Sequence, residues 1–479
     1  MTHETLALHG LSDAALTSIE TTAYRLLAEV GIALHHAGAQ EMLQGLGCTV
    51  QDGRTRVPGE VVEWALENVT PHREVHDLLG DLAFTFGDGK IRFHNGGGPP
   101  FAYDLETGER RPATMQDVAE MTRLLDALPN VDLVIPLFGP QDVPPELLTI
   151  ASTAETLRNT RKPVGAAAVE KPQEVGYAVE MAAACCGGMG AYRERPNLMI
   201  SVSPVSPLTF SEDVTAAIIA VVASGTPFDP LPAPCLGATG PITLAGALAQ
   251  QHAEVLASLV IAAAVRPGAP VSYNSRISPI DLRTAVSTWG GPEVGMTGAL
   301  AGQLAHRLGL PCDAYGLSTN SSHLDARFAY ERLTNALVPA LSGVDILSGV
   351  GTTDSGMAGG LEIAVIDNEI ISLIKHVAAG CCVNEDTLAF DVIRDVVLGD
   401  GVFLAEAHTV RHMRQGVLWM SDLDAQAAAA GAAEEDVGAR ARARARHILQ
   451  THQVIPLPDD VSRQLDEIVD RARRELVED

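Results

Sequence analysis

From Ile91 onward the chain keeps a rhythm that few folds accommodate. Short apolar runs begin at Ile91 (IRFHN), Val131 (VDLVIP), Pro163 (PVGAAAV), Leu198 (LMISVS), Phe228 (FDPLPAP), Pro270 (PVSYNS), Cys312 (CDAYGL) and Val344 (VDILSG). Helices are predicted between and after them, over Met115 to Ala127, Glu146 to Arg158, Pro172 to Ala184, Glu212 to Ala223, Ile242 to Val265, Pro292 to Leu308, Arg327 to Leu341 and Leu361 to Val377. Strand–helix alternation of this kind predicts a parallel sheet with right-handed crossovers. Eight units is the number that closes on itself, giving an α/β fold of the (β/α)8 TIM-barrel type. An open doubly wound sheet shares the local pattern, but no Gly-rich dinucleotide-binding turn follows a strand here.

The flanks read differently. Residues 1–85 are predicted to form a helical region with short strands that packs on the barrel. Ser12 and Asp13 precede a helix running to Glu29, a second helix covers Ala37 to Leu46, Cys48 to Val50 is a short strand, and Pro58 opens a third helix from Gly59 to Asn68. Leu82 to Phe86 reads as β structure ending at the Asp88-Gly89 turn. The barrel is assigned to 86–410 and a helical extension to 411–479. In that extension Ala425 to Ala433 is alanine-rich, and Gly438 to Arg446 (GARARARAR) reads as a solvated helix surface. A last helix, Asp460 to Leu476, gathers Val461, Leu465, Ile468 and Val469 on one face.

Charge and cysteine usage narrow the setting. With 33 Lys and Arg against 60 Asp and Glu, the net charge of -27 argues against nucleic acid or an anionic membrane as partner. Seven cysteines, an odd number that includes the neighbours Cys185-Cys186 and Cys381-Cys382, do not form a secreted disulfide framework, and a cytoplasmic setting is expected. The opening MTHETLALHGLSDAAL shows no basic stretch followed by an apolar core. Leu244 to Val265 is apolar but carries Gln250, Gln251, His252 and Glu254, so a buried helix is predicted rather than a membrane span.

In a barrel, functional groups collect where strands end and helices begin. That rule marks His94 and Asn95 with Gly96 to Gly98, Phe138, Glu170, Ser203 and Ser206, Cys235 with Gly237 and Thr239, Tyr273, Asn274 and Arg276, Tyr315 with Ser318 to Ser322, and Thr352 to Ser355. Small polar groups and aromatics outnumber charges, which suits an uncharged or cationic organic ligand. Lys171 is the one lysine near a strand end, too little for a Schiff-base site. Both cysteine pairs fall at predicted helix C-termini, and His408 and His412 lack the glutamate of an H-E-x-x-H motif, so no metal is expected.

Several longer motifs converge. They are Asp104 to Thr114 (DLETGERRPAT), Arg123 to Asn130 (RLLDALPN), Ser203 to Phe210 (SPVSPLTF), Gly237 to Gly246 (GATGPITLAG), Ala253 to Leu256 (AEVL), Asp281 to Thr284 (DLRT), Asp325 to Glu331 (DARFAYE) and His408-Thr409. Together they resemble the trimethylamine methyltransferase family of corrinoid-dependent methyltransferases, and the resemblance covers nearly the whole chain. It implies a (β/α)8 barrel that moves a methyl group from a methylated amine to the cobalt of a separate corrinoid (cobalamin) protein, with no cofactor held tightly by the chain itself. Founding members carry an in-chain pyrrolysine. None is present here, and its equivalent is expected between Thr319 and Val350. Relatives without it resemble enzymes for quaternary amines such as glycine betaine, so a quaternary or tertiary amine is the expected substrate.

A quaternary nitrogen leaves as a neutral amine and needs no general acid, so the chain's task is to hold a cation with one methyl turned to the mouth. Phe101, Tyr273, Trp289, Tyr315 and Tyr330 are the cage candidates. Glu331, Glu293, Asn320 and His323 are the candidate catalytic groups, the two glutamates as countercharge. Arg276 and Arg283 would pair with a substrate carboxylate, and His94 and Asn95 line the site. Direct transfer to tetrahydrofolate and non-catalytic betaine binding are the alternatives. A homo-oligomer is expected.

Overall fold

Strand Arg92–Asn95 (β1) is hydrogen-bonded in parallel to Ile346–Val350, the last strand of the rhythm, and that pairing closes a ring. The computed structural model describes residues 3–8, 10–166, 169–399, 401–429 and 436–478. Around the ring, β1 bridges to residues 133–134 (β2), which bridge to Val164–Ala166 (β3). Then come Leu198–Val202 (β4), Phe228–Pro230 (β5), a split sixth strand formed by Ala269–Val271 and Tyr273–Ser275 (β6), Cys312–Tyr315 (β7) and Ile346–Val350 (β8). Every neighbouring pair is parallel. The split in β6 lets its first half pair with β5 and its second half with β7. The closed ring excludes the open sheet.

Eight helices return on the outside: Met115–Ala127 (α1), Leu148–Arg158 (α2), Pro172–Cys185 (α3), Glu212–Ser224 (α4), Leu244–Val265 (α5), Pro292–Arg307 (α6), Ala326–Leu341 (α7) and Leu361–Ala378 (α8). Their starts follow from local chemistry. Ser211 and Asp325 accept backbone N–H bonds at the N-caps of α4 and α7, and proline occupies the first turn of α3 and α6. Of the predicted third strand, residues 167–168 lie outside the described residues, as do 430–433 of the alanine-rich run.

The N-terminal region explains why α5 is apolar on every side. Helices Asp13–Arg25, Ala37–Gly45 and Gly59–Glu67 cover its outer face, and the barrel covers the inner one. By length and composition α5 is the one described helix able to cross a membrane, yet 89% of that stretch is buried inside the protein. Further along, the hairpin Glu74–His76 with Leu82–Thr85 seals the base of the barrel. Val75, Phe84 and Phe86 pack there against Leu133, Ile135, Met199 and Ile346, which point down from the strands. Arg332 is fully buried between α7 and α8, where it donates from Nε to Asp367 Oδ1 at 2.7 Å and from Nη1 to the Thr352 carbonyl at 2.5 Å. That bond pins the turn after β8.

Candidate active site at the barrel mouth

Inside the ring, above the apolar floor of Leu133, Ile135, Met199 and Ile346, lies a cavity of about 480 Å³. Its walls carry a small set of polar and aromatic groups: His94 from β1, Asp229 from β5, Arg276 after β6, Trp289, and Asp313 and Tyr315 from β7. Strand alternation puts Asp313 and Tyr315 on the same face, so both project inward. Ser355 and Gly356 from the turn after β8 complete the rim. Small residues make the space: Gly165 lines the wall, and a Cβ there would come 2.7 Å from Ile135 Cγ2.

The charges are organised about Asp313. Arg276 Nη2 donates to Asp313 Oδ2 at 2.7 Å, and His94 Nε2 lies 3.3 Å from the same oxygen. Burial acts to raise the Asp313 carboxyl, but the Arg276 and His94 contacts outweigh it and hold the group below its ordinary value. Asp229 behaves oppositely. Burial and the nearby Asp313 push it up to about 7, against a hydrogen bond from Ser272 Oγ at 2.5 Å. The two carboxyls in one cavity are thus shifted in opposite directions, Asp229 up and Asp313 down. His94 Nδ1, Asp313 Oδ1 and Ser348 Oγ are buried with no hydrogen-bond partner in the protein, which is uncommon away from binding sites.

Trp289 and Tyr315 form the aromatic wall, with ring centroids 4.8 Å apart and planes tilted by 53°. Their placement is fixed by polar clamps behind them. Asn320 Oδ1 accepts from the Trp289 and Gly290 N–H groups at 2.7 and 2.9 Å and from Ser355 Oγ at 2.9 Å. Glu331 accepts from Thr319 Oγ1 and the Asn320 N–H at 2.6 and 2.8 Å, and from Arg327 at 2.7 Å. One amide thus ties together the loops after β6, β7 and β8.

The family's sequence model described as trimethylamine methyltransferase (MTTB) matches residues 1–477. The chain belongs to the trimethylamine methyltransferase family. It is 31% identical to trimethylamine methyltransferase MttB of Desulfitobacterium hafniense, over 98% of this chain and 95% of that one. It is also 30% identical to a glycine betaine methyltransferase from another strain of that species, over 85% and 84%. Among solved structures, the monomethylamine methyltransferase of Methanosarcina barkeri aligns with 14% identity and a TM-score of 0.48, covering 92% of this chain and 94% of that one.

Of the residues that the sequence marks in this family member, His94, Asn95, Arg276, Trp289 and Tyr315 meet in the cavity. Asn95 is fully buried and spends its amide on the Ile135 backbone, stitching β1 to β2. Asn320 and Glu331 stand one layer behind, as clamps. The others lie elsewhere. Tyr273 alternates outward, is fully buried, and shares a hydrogen bond of 3.1 Å with His252 of α5. Tyr330 is 59% exposed on the outer face of α7. Phe101, in the hairpin Phe101–Tyr103 with Arg110–Pro112, already has the Arg110 guanidinium 3.7 Å over its ring. Arg283 pairs with Asp281 at the surface, His323 is exposed and bonded to Ser322, and Glu293 sits half-buried in the first turn of α6 outside the cavity. Asp229 and Asp313 were not singled out by sequence reasoning. Both sit within strands, short of the strand ends, and the inward alternation of FDP and CDAY was the available signal.

Proposed function

We propose that the chain transfers a methyl group from a quaternary amine of the glycine betaine type to the cobalt of a corrinoid protein that docks at the barrel mouth. The carrying observation is the pairing of an aromatic wall, Trp289 and Tyr315, with two buried carboxylates, Asp229 and the Arg276-paired Asp313, in one small cavity. The ring faces attract a methylated ammonium, about 0.5–2 kcal/mol per contact depending on desolvation. Asp229 supplies negative charge once it ionises. Arg276, held by Asp313 through Nη2 and by the Ser275 carbonyl through Nη1, keeps its remaining N–H groups for a substrate carboxylate. Asn320 and Glu331 act as positioning residues by holding the Trp289 loop.

A space of about 480 Å³ fits a small amine and not a corrin macrocycle, which supports an acceptor presented from outside. Cobalt(I) supplies a nucleophile able to displace a neutral tertiary amine. The chain's contribution is then orientation: the ammonium rests against the Trp289 and Tyr315 faces, the carboxylate end is drawn to Arg276, and one methyl is left toward the rim at Ser355 and Gly356. A relative named for glycine betaine supports this class, beside relatives named for trimethylamine.

The test mixes the purified protein with a reduced corrinoid protein and a panel of betaines, choline and trimethylamine. Methyl-cobalt absorbance with a betaine, accompanied by one equivalent of demethylated amine, is the expected result. Turnover of trimethylamine alone would overturn the quaternary assignment, and methyl-tetrahydrofolate formed without any corrinoid would overturn the acceptor.

A further inference from the structure

After α8 the chain leaves the helix layer in an arm, residues 383–418. It is tied back where Trp419 Nε1 donates to Ser372 Oγ at 2.7 Å and the Leu423 N–H to Glu369 Oε1 at 3.0 Å. The arm has little core, since Val396 is the one buried apolar side chain among its described residues. Two of its helices, Glu385–Leu388 and Ala407–Arg414, are 4 and 8 residues long. An isolated helix needs roughly 12–15 residues to hold in water, so these two depend on what joins them.

The junction is polar. His408 and His412 stand four apart on one face of Ala407–Arg414, with ring centroids 4.2 Å apart. Asp386 of Glu385–Leu388 faces both rings: His408 Nε2 lies 3.0 Å from its carbonyl oxygen, and His412 Nε2 lies 3.2 Å from its Oδ2. One ligating atom from each of the three side chains can be chosen so that all lie within 4.8 Å of one another. Arg411 donates to the other carboxylate oxygen, Oδ1, which leaves Oδ2 to the rings. The His412 contact is not a hydrogen bond. Its Nε2 is shielded from solvent and has no hydrogen-bond partner among the described residues, an uncommon state for a buried polar atom. Two ligand atoms on a tetrahedral zinc, each roughly 2.0–2.2 Å from the ion, stand about 3.3 Å apart. The His412–Asp386 spacing of 3.2 Å is of that size.

We propose that Asp386, His408 and His412 bind one divalent transition-metal ion of the zinc class, which staples Glu385–Leu388 to Ala407–Arg414. Two imidazoles with one carboxylate suit such an ion, whereas Mg²⁺ and Ca²⁺ take oxygen ligands. None of the three side chains lines the barrel cavity. The residue after His408 is Thr409, where the H-E-x-x-H helix of a metal hydrolase carries its glutamate. The fourth position is thus left to water with no such base beside it, and the ion's role is structural. Its binding free energy becomes folding free energy for an arm with few apolar contacts. The histidine pair lacks a third ligand in sequence, and the fold supplies one from another helix. The proposal is independent of the methyl transfer.

Titration of the untagged, chelator-stripped full chain with Zn²⁺ tests it. One tightly bound ion per chain is expected. His412→Ala should weaken that binding by about a hundredfold or more, and Asp386→Asn by about tenfold or more. Co²⁺ in place of Zn²⁺ should give visible ligand-field bands without the near-ultraviolet thiolate band that ligation by Cys381 or Cys382 would add. Hydrogen exchange on the wild type gives a reading that stands even if a variant fails to fold: amides of 385–388 and 407–414 should exchange more slowly once Zn²⁺ is added. Absence of stoichiometric binding would overturn the proposal, as would binding unchanged in both variants. So would a thiolate-type Co²⁺ spectrum, or binding that leaves exchange in the two helices unaltered.

Discussion

Arg276 Nη2 donates to Asp313 Oδ2 at 2.7 Å while its guanidinium carbon stands 5.8 Å from the centre of the Tyr315 ring. One cation thus neutralises the buried carboxylate and borders the aromatic wall. Replacing Arg276 with Met removes a charged hydrogen bond of about 1.5–3 kcal/mol. For a substrate ending in a carboxylate, kcat/KM should fall by roughly tenfold to a hundredfold. Choline, which has no carboxylate, should lose much less. Steady-state kinetics on the pair separate the two, and an equal loss for both would remove Arg276 from the recognition of the carboxylate.

Asp229 makes binding pH-dependent. With its carboxyl pushed up to about 7, it is protonated below that pH and charged above it. Affinity for a methylated ammonium should therefore rise as pH increases through about 7, with a proton released on binding below that point. Stability moves the other way. Between its ordinary value of 3.8 and about 7, the folded state keeps a proton that the unfolded chain has lost, so Asp229's contribution to stability falls as pH rises through that window and then levels off. Asp229→Asn should flatten both profiles, measured by calorimetry of betaine binding and by thermal melts over the same pH range.

The aromatic wall gives a paired prediction. Trp289→Leu should weaken betaine binding by about 0.5–2 kcal/mol, roughly twofold to thirtyfold in Kd. Tyr273→Phe and Tyr330→Leu should leave Kd unchanged, because the first side chain faces α5 and the second faces solvent. Isothermal titration of the three variants checks both halves.

Behind the site, the Arg332–Asp367 pair is fully buried. Arg332→Met leaves Asp367 without a counter-ion and should destabilise the fold by about 3–5 kcal/mol. Adding Asp367→Leu should restore part of that loss. Urea unfolding of the single and double variants measures it.

Much of the scaffold could be read from the chain because strand runs and helix caps are local signals. The helices predicted to begin at Pro172 and Glu212 begin there, the one predicted from Arg327 begins one residue earlier at Ala326, and the eight apolar runs became the eight staves. The site was less legible. A candidate such as Tyr273 differs from Tyr315 only in which way its strand turns it, and one residue of register sends a side chain from the lumen to the helix layer. Asp229 and Asp313 look like ordinary strand interruptions until the ring closes around them. The hairpin partner of Phe101, and hence the cation already over its face, comes from a pairing that local pattern does not announce.

The hairpin under the barrel has a kinetic consequence. With Val75, Phe84 and Phe86 packed beneath its floor, the chamber is stopped at its lower end and opens toward the rim at Ser355 and Gly356. Under the proposed reaction, a docked acceptor covers that opening over whatever remains inside. Both products arise in the one displacement, so the spent amine, lying deeper in the chamber, would follow the carrier out, and ordered product release is the expected kinetic pattern.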